Sequence, residues 1–358
     1  MIEVNLKAVW LFSTPAGHEK EVPIFNLLQA IDNTGKLTFA AREVGLSYRH
    51  AWDLLEKWGQ FFGQPLVKMK QGRGAILTPL GDKLIWADKR VKARLTAQLT
   101  NLASELEVEI NQIVSSERHV VKLHASHGFA VAEMRERLHN NPYVQLDLQY
   151  RGGEEALAEL CRSECDLAGF HVPTGAARKE SLARYAKWLK PSKNYRVIRF
   201  VTRQQGIMVK KGNPLGITNL SDISHEPVRF VNREPSSGTR MLFDILLEQQ
   251  NIPAHQIQGY QKEELTHNAV AAYVASDMAD AGFGVEAAAR QFSLDFIPLN
   301  QEDYYLLCRF ETLEKPGVKE IIKLLQNEDF QQAIMQLPGY SSRNAGEIAT
   351  LADEFHTG

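Results

Sequence analysis

The fold of the amino-terminal part is decided by residues 34–81, which read TGKLTFAAREVGLSYRHAWDLLEKWGQFFGQPLVKMKQGRGAILTPLG. Within this stretch, LTFAAREVG places Leu37, Ala40 and Val44 at the spacing of one helix face. Gly45 follows directly and offers the tight turn that joins one helix to the next. The stretch therefore predicts two helices joined by a turn of a few residues.

A longer helix is predicted to begin after Ser47, whose hydroxyl suits the N-cap position. Gly63 and Pro65 end it. Upstream, residues 23–33 read PIFNLLQAIDN and have the apolar spacing of another amphipathic helix. The apolar stripe of the longer helix consists of Ala51, Leu54, Leu55 and Trp58.

Two short strands are predicted around a tip at Gly72–Gly74. The run PLVKMKQGRGAILTPLG, residues 65–81, carries three basic residues and no Asp or Glu. Three helices followed by such a strand pair make a winged helix-turn-helix, and a basic wing suits the phosphates of DNA.

Base edges and phosphates would be contacted by side chains of the third helix outside its apolar stripe and by the basic side chains of the wing. These candidates are Ser47, Tyr48, Arg49, His50, Trp52, Asp53, Lys57, Lys68, Lys70 and Arg73.

Charge is distributed unevenly along the 358 residues, although the formal net charge is only −2. Residues 1–95 contain 14 Lys and Arg against 9 Asp and Glu, whereas the rest of the chain contains 27 against 34. Phosphate contacts need positive charge on the part that binds DNA. The distribution therefore favours nucleic acid as a partner of the amino-terminal part.

These residues resemble the amino-terminal domain of the molybdate-responsive ModE regulators and, more distantly, the LysR-type regulators. The matched runs are LTFAAREVGLSY, SYRHAWDLL and GRGAILTPLGDKLI. The resemblance implies that residues 1–81 bind a double-stranded DNA operator. A three-helix unit that serves only in dimerisation is the alternative.

Residues 82–115 contain no Gly or Pro and predict one long helix, about 50 Å long. Its apolar positions recur at steps of three or four, which keeps them on one face. A helix of this length favours pairing with the same helix of a second subunit, as the ModE and LysR resemblance also implies, whereas packing only on its own chain is the alternative. A homodimer is expected, and a tetramer is left open. The stripe consists of Val91, Leu95, Leu99, Leu102, Leu106, Ile110 and Ile113.

From His119 onward, short β patterns alternate with helical patterns, which is typical of an α/β domain with a mostly parallel sheet. A late return to strand near residues 295–309 predicts two lobes, with the chain crossing between them near 199–206 and 295–302. The predicted fold class is α+β and multidomain. Its parts are a winged helix-turn-helix (1–81), a linker and dimerisation helix (82–117), a two-lobed α/β sensing domain (118–345, with lobe I at about 118–200 and 300–345 and lobe II at about 205–296) and a tail (346–358).

The second half resembles the type II periplasmic-binding-protein fold, in particular the molybdate-type domain fused to molybdenum-related regulators. The matching runs are GIMVKKGNPLGITNLSDI, RFVNREPSSGTRMLFD and THNAVAAYVASDMADAGFGVEAAA. This resemblance implies a small oxyanion effector, molybdate or tungstate, in the cleft between the lobes. Formate is the runner-up, because the same donors suit a small carboxylate.

Four predicted helix starts carry Ser, Thr or Gly, and helix amino-termini favour anions. We expect them to face one cleft, with Arg240 or a histidine adding charge. In transporters that bind molybdate, Ser commonly stands where this chain has Gly152 and Gly153. Ser and Thr at helix starts also serve as plain caps, and histidines can be structural. The ligand candidates are Ser126, His127, Gly152, Gly153, Ser236, Ser237, Gly238, Thr239, Arg240, Thr266 and His267.

Other classes of function are disfavoured by the residues available. Three cysteines are too few for a disulfide framework, and Cys161 and Cys165 have no second ligand pair, so we expect reduced thiols and no metal. An enzyme of molybdenum-cofactor chemistry would need Ser126 as nucleophile and His127 as base, a contact that adjacent residues rarely make. We therefore expect a protein that is not an enzyme, has no cofactor beyond the anion effector, contains no membrane span and stays in the cytoplasm. An architectural DNA-bound protein with an empty sensor is a third possibility.

Overall fold

The computed structural model describes residues 2–13, 19–21, 24–70, 74–114, 118–224 and 228–355. The chain divides into two compact units. The amino-terminal unit is residues 7–95, and the carboxyl-terminal unit is residues 1–6 and 96–358.

The amino-terminal unit consists, in its described part, of helices and two antiparallel strand pairs. The apolar faces of the helices form one core around Ile24, Leu28 and Trp58, all of which are buried. The elements are β1 (Leu11–Ser13), β2 (Glu19–Glu21), α1 (Ile24–Thr34), α2 (Leu37–Glu43), α3 (Tyr48–Phe62), β3 (Val67–Lys70), β4 (Gly74–Leu77) and the first part of α4 (Pro79–Val114).

The turns of this unit lie at the residues expected from the sequence. Gly45 and Gly63 adopt φ angles of 72° and 69°, in the left-handed region that favours glycine. The Ser47 hydroxyl accepts a hydrogen bond from the backbone N–H of His50 at 3.1 Å and so caps α3. Local chemistry therefore fixes where α2 ends and α3 begins.

The strand pair β3–β4 is anchored on the end of α1. Gly74 has a φ of 97°, and a Cβ on it would lie 2.1 Å from the carbonyl oxygen of Gly35. The N–H of Ala75 donates to that same carbonyl at 2.8 Å. Only glycine fits at this contact. The tip at residues 71–73, with Arg73, lies outside the described residues.

Helix α4 begins three residues before the predicted start and ends at Val114. In the carboxyl-terminal unit it packs on its own chain through a face that includes Ala103, Ser104 and Val108, which are buried. The predicted apolar stripe lies elsewhere on the helix, since Leu102 is 53% exposed and Ile113 is 89% exposed. Packing of α4 on its own chain therefore leaves several side chains of the predicted stripe exposed.

The carboxyl-terminal unit alternates strands and helices as the sequence indicated. Its elements after α4 are β5 (His119–Ala125), α5 (Phe129–His139), β6 (Val144–Tyr150), α6 (Gly153–Cys161), β7 (Leu167–Pro173), α7 (Ala177–Tyr185), β8 (Tyr195–Val209), β9 (Phe230–Arg233), α8 (Gly238–Gln249), β10 (Glu263–Glu264), α9 (His267–Ala275), β11 (Ala281–Val285), α10 (Glu286–Gln291), β12 (Asp295–Arg309), α11 (Pro316–Gln326), α12 (Glu328–Met335), β13 (Tyr340–Ser341), β14 (Ile348–Ala349) and α13 (Leu351–Phe355).

One mixed sheet runs through this unit in the order β10-β9-β11-β8-β12-β7-β5-β6. Its outer pairs are parallel: β5 with β6 and β7, and β9 with β10 and β11. The 15-residue strands β8 and β12 are antiparallel to each other and to β11 and β7. The expectation of a mostly parallel sheet is correct for the outer strands. It is wrong for the middle of the sheet, where β8 and β12 run antiparallel to their neighbours.

The domain has two lobes that share strands β8 and β12. Lobe I is built on β5, β6 and β7, and lobe II is built on β9, β10 and β11. The first half of β8 and the second half of β12 lie beside lobe I, whereas residues 205–209 of β8 pair with β11 in lobe II. Both crossings between the lobes are therefore continuous strands.

The described residues after 339 pack on the shared strands. Strands β13 and β14 both pair with β8. Leu351 in α13 is buried, and Glu354 accepts hydrogen bonds from Arg199. The segment predicted as a tail is thus packed against the shared strands as far as Phe355.

Among the described residues, no helix has both the length and the apolar character that a membrane crossing requires.

Candidate functional site

A cavity of about 250 Å³ lies in the cleft of the carboxyl-terminal unit. Lobe I contributes Ser126, His127 and Gly152, and lobe II contributes Arg233 and the Ser236–Ser237 pair. Five of the predicted ligand residues therefore line one cavity. The chemistry of this space is set by the buried groups around it.

Four helices begin at the predicted polar positions. Gly128 precedes α5, Gly152 precedes α6, Ser237 precedes α8 and Thr266 precedes α9. The Ser237 hydroxyl accepts from the N–H of Arg240 at 3.1 Å, and the Thr266 hydroxyl accepts from the N–H of Ala269 at 3.0 Å. These two hydroxyls act as helix caps. What they leave for a ligand is the remaining N–H groups and the positive end of each helix dipole.

Arg233 brings a buried positive charge to the cavity. Its side chain is inside the protein, where Nε donates to the carbonyl of Glu264 at 3.2 Å and Nη2 donates to the carbonyl of Leu265 at 2.8 Å. Its Nη2 forms an ion pair with Glu234 Oε1 at 3.8 Å. Burial lowers the pKa of Arg233 to about 10, with Glu234 opposing this shift and Arg203 adding to it. The guanidinium is therefore charged at neutral pH, and its ion pair with Glu234 is longer than a charge-assisted hydrogen bond.

A second buried arginine lies where the shared strands cross. Arg203 Nε donates to Glu302 Oε1 at 2.6 Å, and Gln205 Nε2 donates to the same oxygen at 2.7 Å. Arg203 and Glu302 are opposite each other in the β8–β12 register. Gln205 also donates to the Thr239 hydroxyl at 2.9 Å. Glu302 thus compensates Arg203 at hydrogen-bond distance, whereas among the described residues Arg233 has only the longer ion pair with Glu234 at 3.8 Å.

Three histidines around the cleft are neutral. Burial, followed by the charges of Arg233 and Arg203, lowers the pKa of His127 to about 4. Burial and the same two arginines hold the pKa of His171 and of His267 well below the ordinary value. A neutral imidazole can donate one hydrogen bond and accept one. Each of these histidines can therefore offer hydrogen bonds but no positive charge.

Several buried polar atoms near the cleft have no hydrogen-bond partner among the described residues. Such atoms are rare in folded proteins and mark places where a ligand or water completes the structure. The Ser126 hydroxyl is one of them, so it makes no hydrogen bond to His127 of the kind a nucleophile and base would need. The set is Ser126 Oγ, His171 Nε2, Gln205 Oε1, His267 Nδ1, Asn268 Oδ1 and Glu302 Oε2.

Glycines allow the two lobes to approach each other closely. A Cβ on Gly152 would lie 2.6 Å from the carbonyl oxygen of Ser236 in the other lobe. A Cβ on Gly153 would lie 3.1 Å from the hydroxyl of Tyr185, within the same lobe. The serine that molybdate transporters carry at this place has no room at Gly152 in this arrangement.

Two larger cavities have different chemistry. A cavity of about 540 Å³ in the amino-terminal unit lies between α3 and β3 and is lined by side chains such as Leu55, Leu66 and Met69. A cavity of about 420 Å³ beside the shared strands contains Arg199, whose guanidinium is already bonded to Glu354. The cleft cavity differs from both, because the buried guanidinium of Arg233 lines it and its ion pair with Glu234 is long. No group of three His, Cys, Asp or Glu suited to a metal ion occurs in the described ranges.

A family model described as the PBP superfamily domain matches residues 134–326, more than half of the chain. The chain belongs to the periplasmic-binding-protein (PBP) superfamily. The matched range includes Gly152, Arg203, Arg233 and Glu302. The charged centre of the cleft is therefore part of the PBP domain.

Named relatives cover different shares of the chain. The uncharacterised protein YvgK of Bacillus subtilis (strain 168) is 34% identical over 202 residues, 56% of this chain and 64% of YvgK. The molybdenum transport protein ModE of Azotobacter vinelandii is 31% identical over 84 residues, 22% of this chain and 31% of ModE. The chain spans less than two thirds of either relative.

An OxyR mutant of Corynebacterium glutamicum with bound hydrogen peroxide is a solved structure with a TM-score of 0.44 and 12% identity, covering 88% of this chain and 94% of that one. The family match and the ModE relative confirm the two resemblances drawn from the sequence.

Arg240 does not have the position in the PBP cleft that the sequence suggested. Its Nε donates to Asp244 at 3.1 Å, its Nη1 donates to the carbonyl of Arg233 at 3.1 Å, and its guanidinium lies over the ring of Tyr260 at 4.1 Å. These contacts hold the Arg240 guanidinium against α8 and the residues packed beside it. Arg233 is the arginine of this motif that lines the cavity.

Sequence reasoning missed the buried charged residues of the PBP cleft. Arg233 stands inside the motif RFVNREPSSGTR, at the end of a strand whose residues are all buried. Arg203 and Glu302 stand in strands and are almost completely buried. The signal in the sequence was a charged residue within a strand. An alternating pattern does not reveal whether such a residue is buried, because in a strand such as β9 the residues on both faces are buried.

The predicted DNA-contacting side chains that the structure describes are exposed in the amino-terminal unit. Tyr48 is 49% exposed and Trp52 is 42% exposed, which is unusual for large aromatic residues. The side chain of Lys70 and the whole of Arg73 lie outside what the structure describes. The exposed candidates are Ser47, Tyr48, Arg49, His50, Trp52, Asp53, Lys57 and Lys68.

The lowered histidine pKa values predict a pH dependence of stability. In the unfolded chain His127 has its ordinary pKa of 6.5, whereas in the folded protein it has a pKa of about 4. Between these values the unfolded state binds more protons, so the free energy of unfolding falls as pH drops from 6.5 towards 4. We expect the melting temperature of the anion-free protein to fall over this range, and His127→Asn to reduce the slope. An equal slope in the variant and the wild type would contradict this assignment.

Proposed function

We propose that this protein is a DNA-binding transcriptional regulator whose DNA affinity is set by a small anion bound in the PBP cleft. The observation that carries the anion site is the buried guanidinium of Arg233, which lines a cavity at the start of two helices and whose ion pair with Glu234 is long, at 3.8 Å. A buried charge is stable only when it is compensated, and an anion in the cavity would compensate it. Helix amino-termini add further attraction.

DNA binding is supported by the arrangement of the amino-terminal unit. Three helices precede an antiparallel strand pair, as a winged helix-turn-helix requires. The exposed face of α3 presents Arg49 and Tyr48, and β3 presents Lys68. The excess of Lys and Arg in residues 1–95 supplies the charge for phosphate contacts.

Dimerisation through α4 is supported by its uncovered apolar side chains. Leu102, Leu106 and Ile113 are 53%, 41% and 89% exposed on a helix whose other face packs on its own unit. An apolar stripe in water is unfavourable, and the same stripe of a second copy would cover it. A two-fold dimer would present two recognition helices to DNA.

Molybdate or tungstate is the proposed effector, because of the resemblance to molybdate-responsive proteins and the similarity to ModE. Formate is the second candidate. The buried guanidinium of Arg233 supports it, since the planar N–H pairs of arginine match a carboxylate. An enzymatic function has less support, because the Ser126 hydroxyl has no hydrogen-bond partner among the described residues.

Isothermal calorimetry of the full chain with sodium molybdate, tungstate, sulfate and formate tests the anion assignment. We expect saturable binding of a metalate with a one-to-one stoichiometry per chain. Binding of formate alone would transfer the proposal to the second candidate. Absence of binding by all four anions would contradict anion sensing.

Substitutions on the DNA face are expected to weaken binding without changing the anion site. With a DNA fragment selected from a random pool by the wild-type protein, Lys68→Ala should lower affinity and reduce the slope of log affinity against log salt by about 1, as loss of one phosphate contact does. Arg49→Ala should reduce discrimination between the selected fragment and random DNA. Lys319→Ala, an exposed lysine on α11, is the matched control. Equal salt slopes for Lys68→Ala and the control would exclude a phosphate contact at this position.

A further inference from the structure

Helix α4 forms one side of the cleft cavity. Besides the residues of the two lobes, the cavity is lined by Ala97, Gln98 and Asn101 of this helix. All three belong to the carboxyl-terminal unit. The helix that carries the exposed apolar stripe is therefore also in direct contact with the space proposed for the anion.

The position of α4 at the cavity is fixed by hydrogen bonds to β6, the last strand of the sheet on this side. Asn101 Oδ1 accepts from the N–H of Tyr150 at 2.6 Å, and Asn101 Nδ2 donates to the carbonyl of Tyr150 at 3.3 Å. The Ser104 hydroxyl accepts from the N–H of Leu148 at 2.9 Å. Side chains of the helix thus satisfy backbone groups that an edge strand would otherwise expose. This makes α4 a bonded neighbour of the sheet.

Tyr150 extends this connection into the cleft. Its ring lies 4.7 Å from the ring of His127, and both residues line the cavity. Burial raises the pKa of Tyr150 to about 12, so its hydroxyl stays neutral. An anion that orders His127 would order Tyr150, and Tyr150 is bonded through its backbone to Asn101.

The apolar stripe is within one helical turn of these contacts. Leu102 follows Asn101 directly and is four residues after Gln98, so a small rotation of α4 at the cavity moves Leu102 by a comparable amount. Leu102 is 53% exposed and is part of the surface proposed for the second subunit.

We propose that α4 forms one wall of the anion site and that anion binding changes its position directly. Gln98 contacts the ligand. Asn101 is a positioning residue that acts through Tyr150. This inference rests on the proposed function. The helix α4 then carries both the residues that line the anion site and the surface proposed for dimerisation, so no other element is needed to connect them.

Hydrogen exchange and calorimetry on the full chain test this inference with Gln98→Ala, Asn101→Ala and the control Gln112→Ala, an exposed glutamine near the end of the same helix. The probe is whichever of molybdate, tungstate, sulfate and formate binds the wild type. We expect the anion to slow amide exchange in residues 96–104 of the wild type at least fivefold. Gln98→Ala should raise Kd about tenfold, the effect of one lost charge-assisted hydrogen bond. Asn101→Ala should keep Kd within about threefold but lose the slowing of exchange, and Gln112→Ala should match the wild type.

Two results would overturn the inference while leaving anion sensing intact. One is anion binding by the wild type without any change of exchange in residues 96–104. The other is a Gln98→Ala protein whose Kd equals that of Gln112→Ala. A wild-type protein that binds none of the four anions removes the proposed function and this inference together, and calorimetry on the wild type alone identifies that case.

Discussion

Replacing Arg233 with Met is expected to weaken anion binding roughly 100-fold, which corresponds to about 3 kcal/mol. Arginine has five N–H groups, and the two bonded to the carbonyls of Glu264 and Leu265 hold the side chain in place. The remaining donors and the charge are available to a ligand in a site from which much of the water is excluded, where charge-assisted hydrogen bonds are strongest. Methionine has a similar length and carries neither the donors nor the charge. Calorimetric titration of the variant with the anion that binds the wild type measures the effect.

Arg240→Met is the matched control for this prediction. It lies in the same motif, but its guanidinium is bonded to Asp244 and lies over Tyr260. We expect a lower melting temperature and a Kd within about threefold of the wild type. The reverse ranking, with Arg240→Met losing binding and Arg233→Met retaining it, would restore the assignment made from the sequence. Melting curves without anion show whether each variant is folded.

Replacing Gly152 with Ser is expected to weaken anion binding at least tenfold. The new Cβ would lie 2.6 Å from the carbonyl oxygen of Ser236, a distance that real Cβ atoms do not tolerate and that involves rigid backbone on the far side of the cleft. The lobes would have to stay farther apart, which lengthens every hydrogen bond made from both sides at once. The added hydroxyl, which is the group molybdate transporters carry at this place, would not compensate. Calorimetry gives the Kd, and small-angle scattering with and without anion reports whether the variant still closes.

Gly238→Ala separates this effect from a general cost of filling a glycine. Gly238 is the first residue of α8, and a Cβ on it would meet its nearest neighbour, the Cβ of His171, at 3.7 Å, an ordinary contact. We expect nearly unchanged anion binding, since alanine keeps the backbone N–H. Tighter anion binding by Gly152→Ser than by the wild type would contradict the closed contact and favour a serine-type oxyanion site.

Local structure was predictable wherever a single residue decides it. Gly45 lies in the predicted turn and Gly63 at the predicted helix end, both with left-handed backbone, and Ser47 caps α3. Helix α8 begins at Gly238, directly after the serine pair Ser236–Ser237, where the sequence predicted a helix start. Turns and caps depend on neighbours a few residues away, so a short stretch of sequence contains all the residues that determine them.

The charged centre of the cleft could not be predicted in the same way. Arg203 is paired with Glu302, which is 99 positions later in the chain. Whether a charged residue in a strand faces water or a buried partner depends on the sheet order, and the sequence pattern did not reveal that β8 and β12 lie side by side in the middle of the sheet. Arg240 was favoured over Arg233 for a related reason. Both arginines are in one motif, and only the side-chain contacts show which of them faces the cavity.

Strands β8 and β12 also determine how the two lobes can move. Their crossing is a hydrogen-bonded ribbon, with irregular pairing between Pro298 and Asn300 and again between Tyr304 and Tyr305. A two-stranded ribbon resists stretching, because its backbone is already extended, but it twists readily, particularly at bulges. The lobes should therefore rotate at nearly constant separation. A pair of spectroscopic labels placed across the ribbon would report little change in distance, whereas labels at the outer rims of the lobes would report a large one.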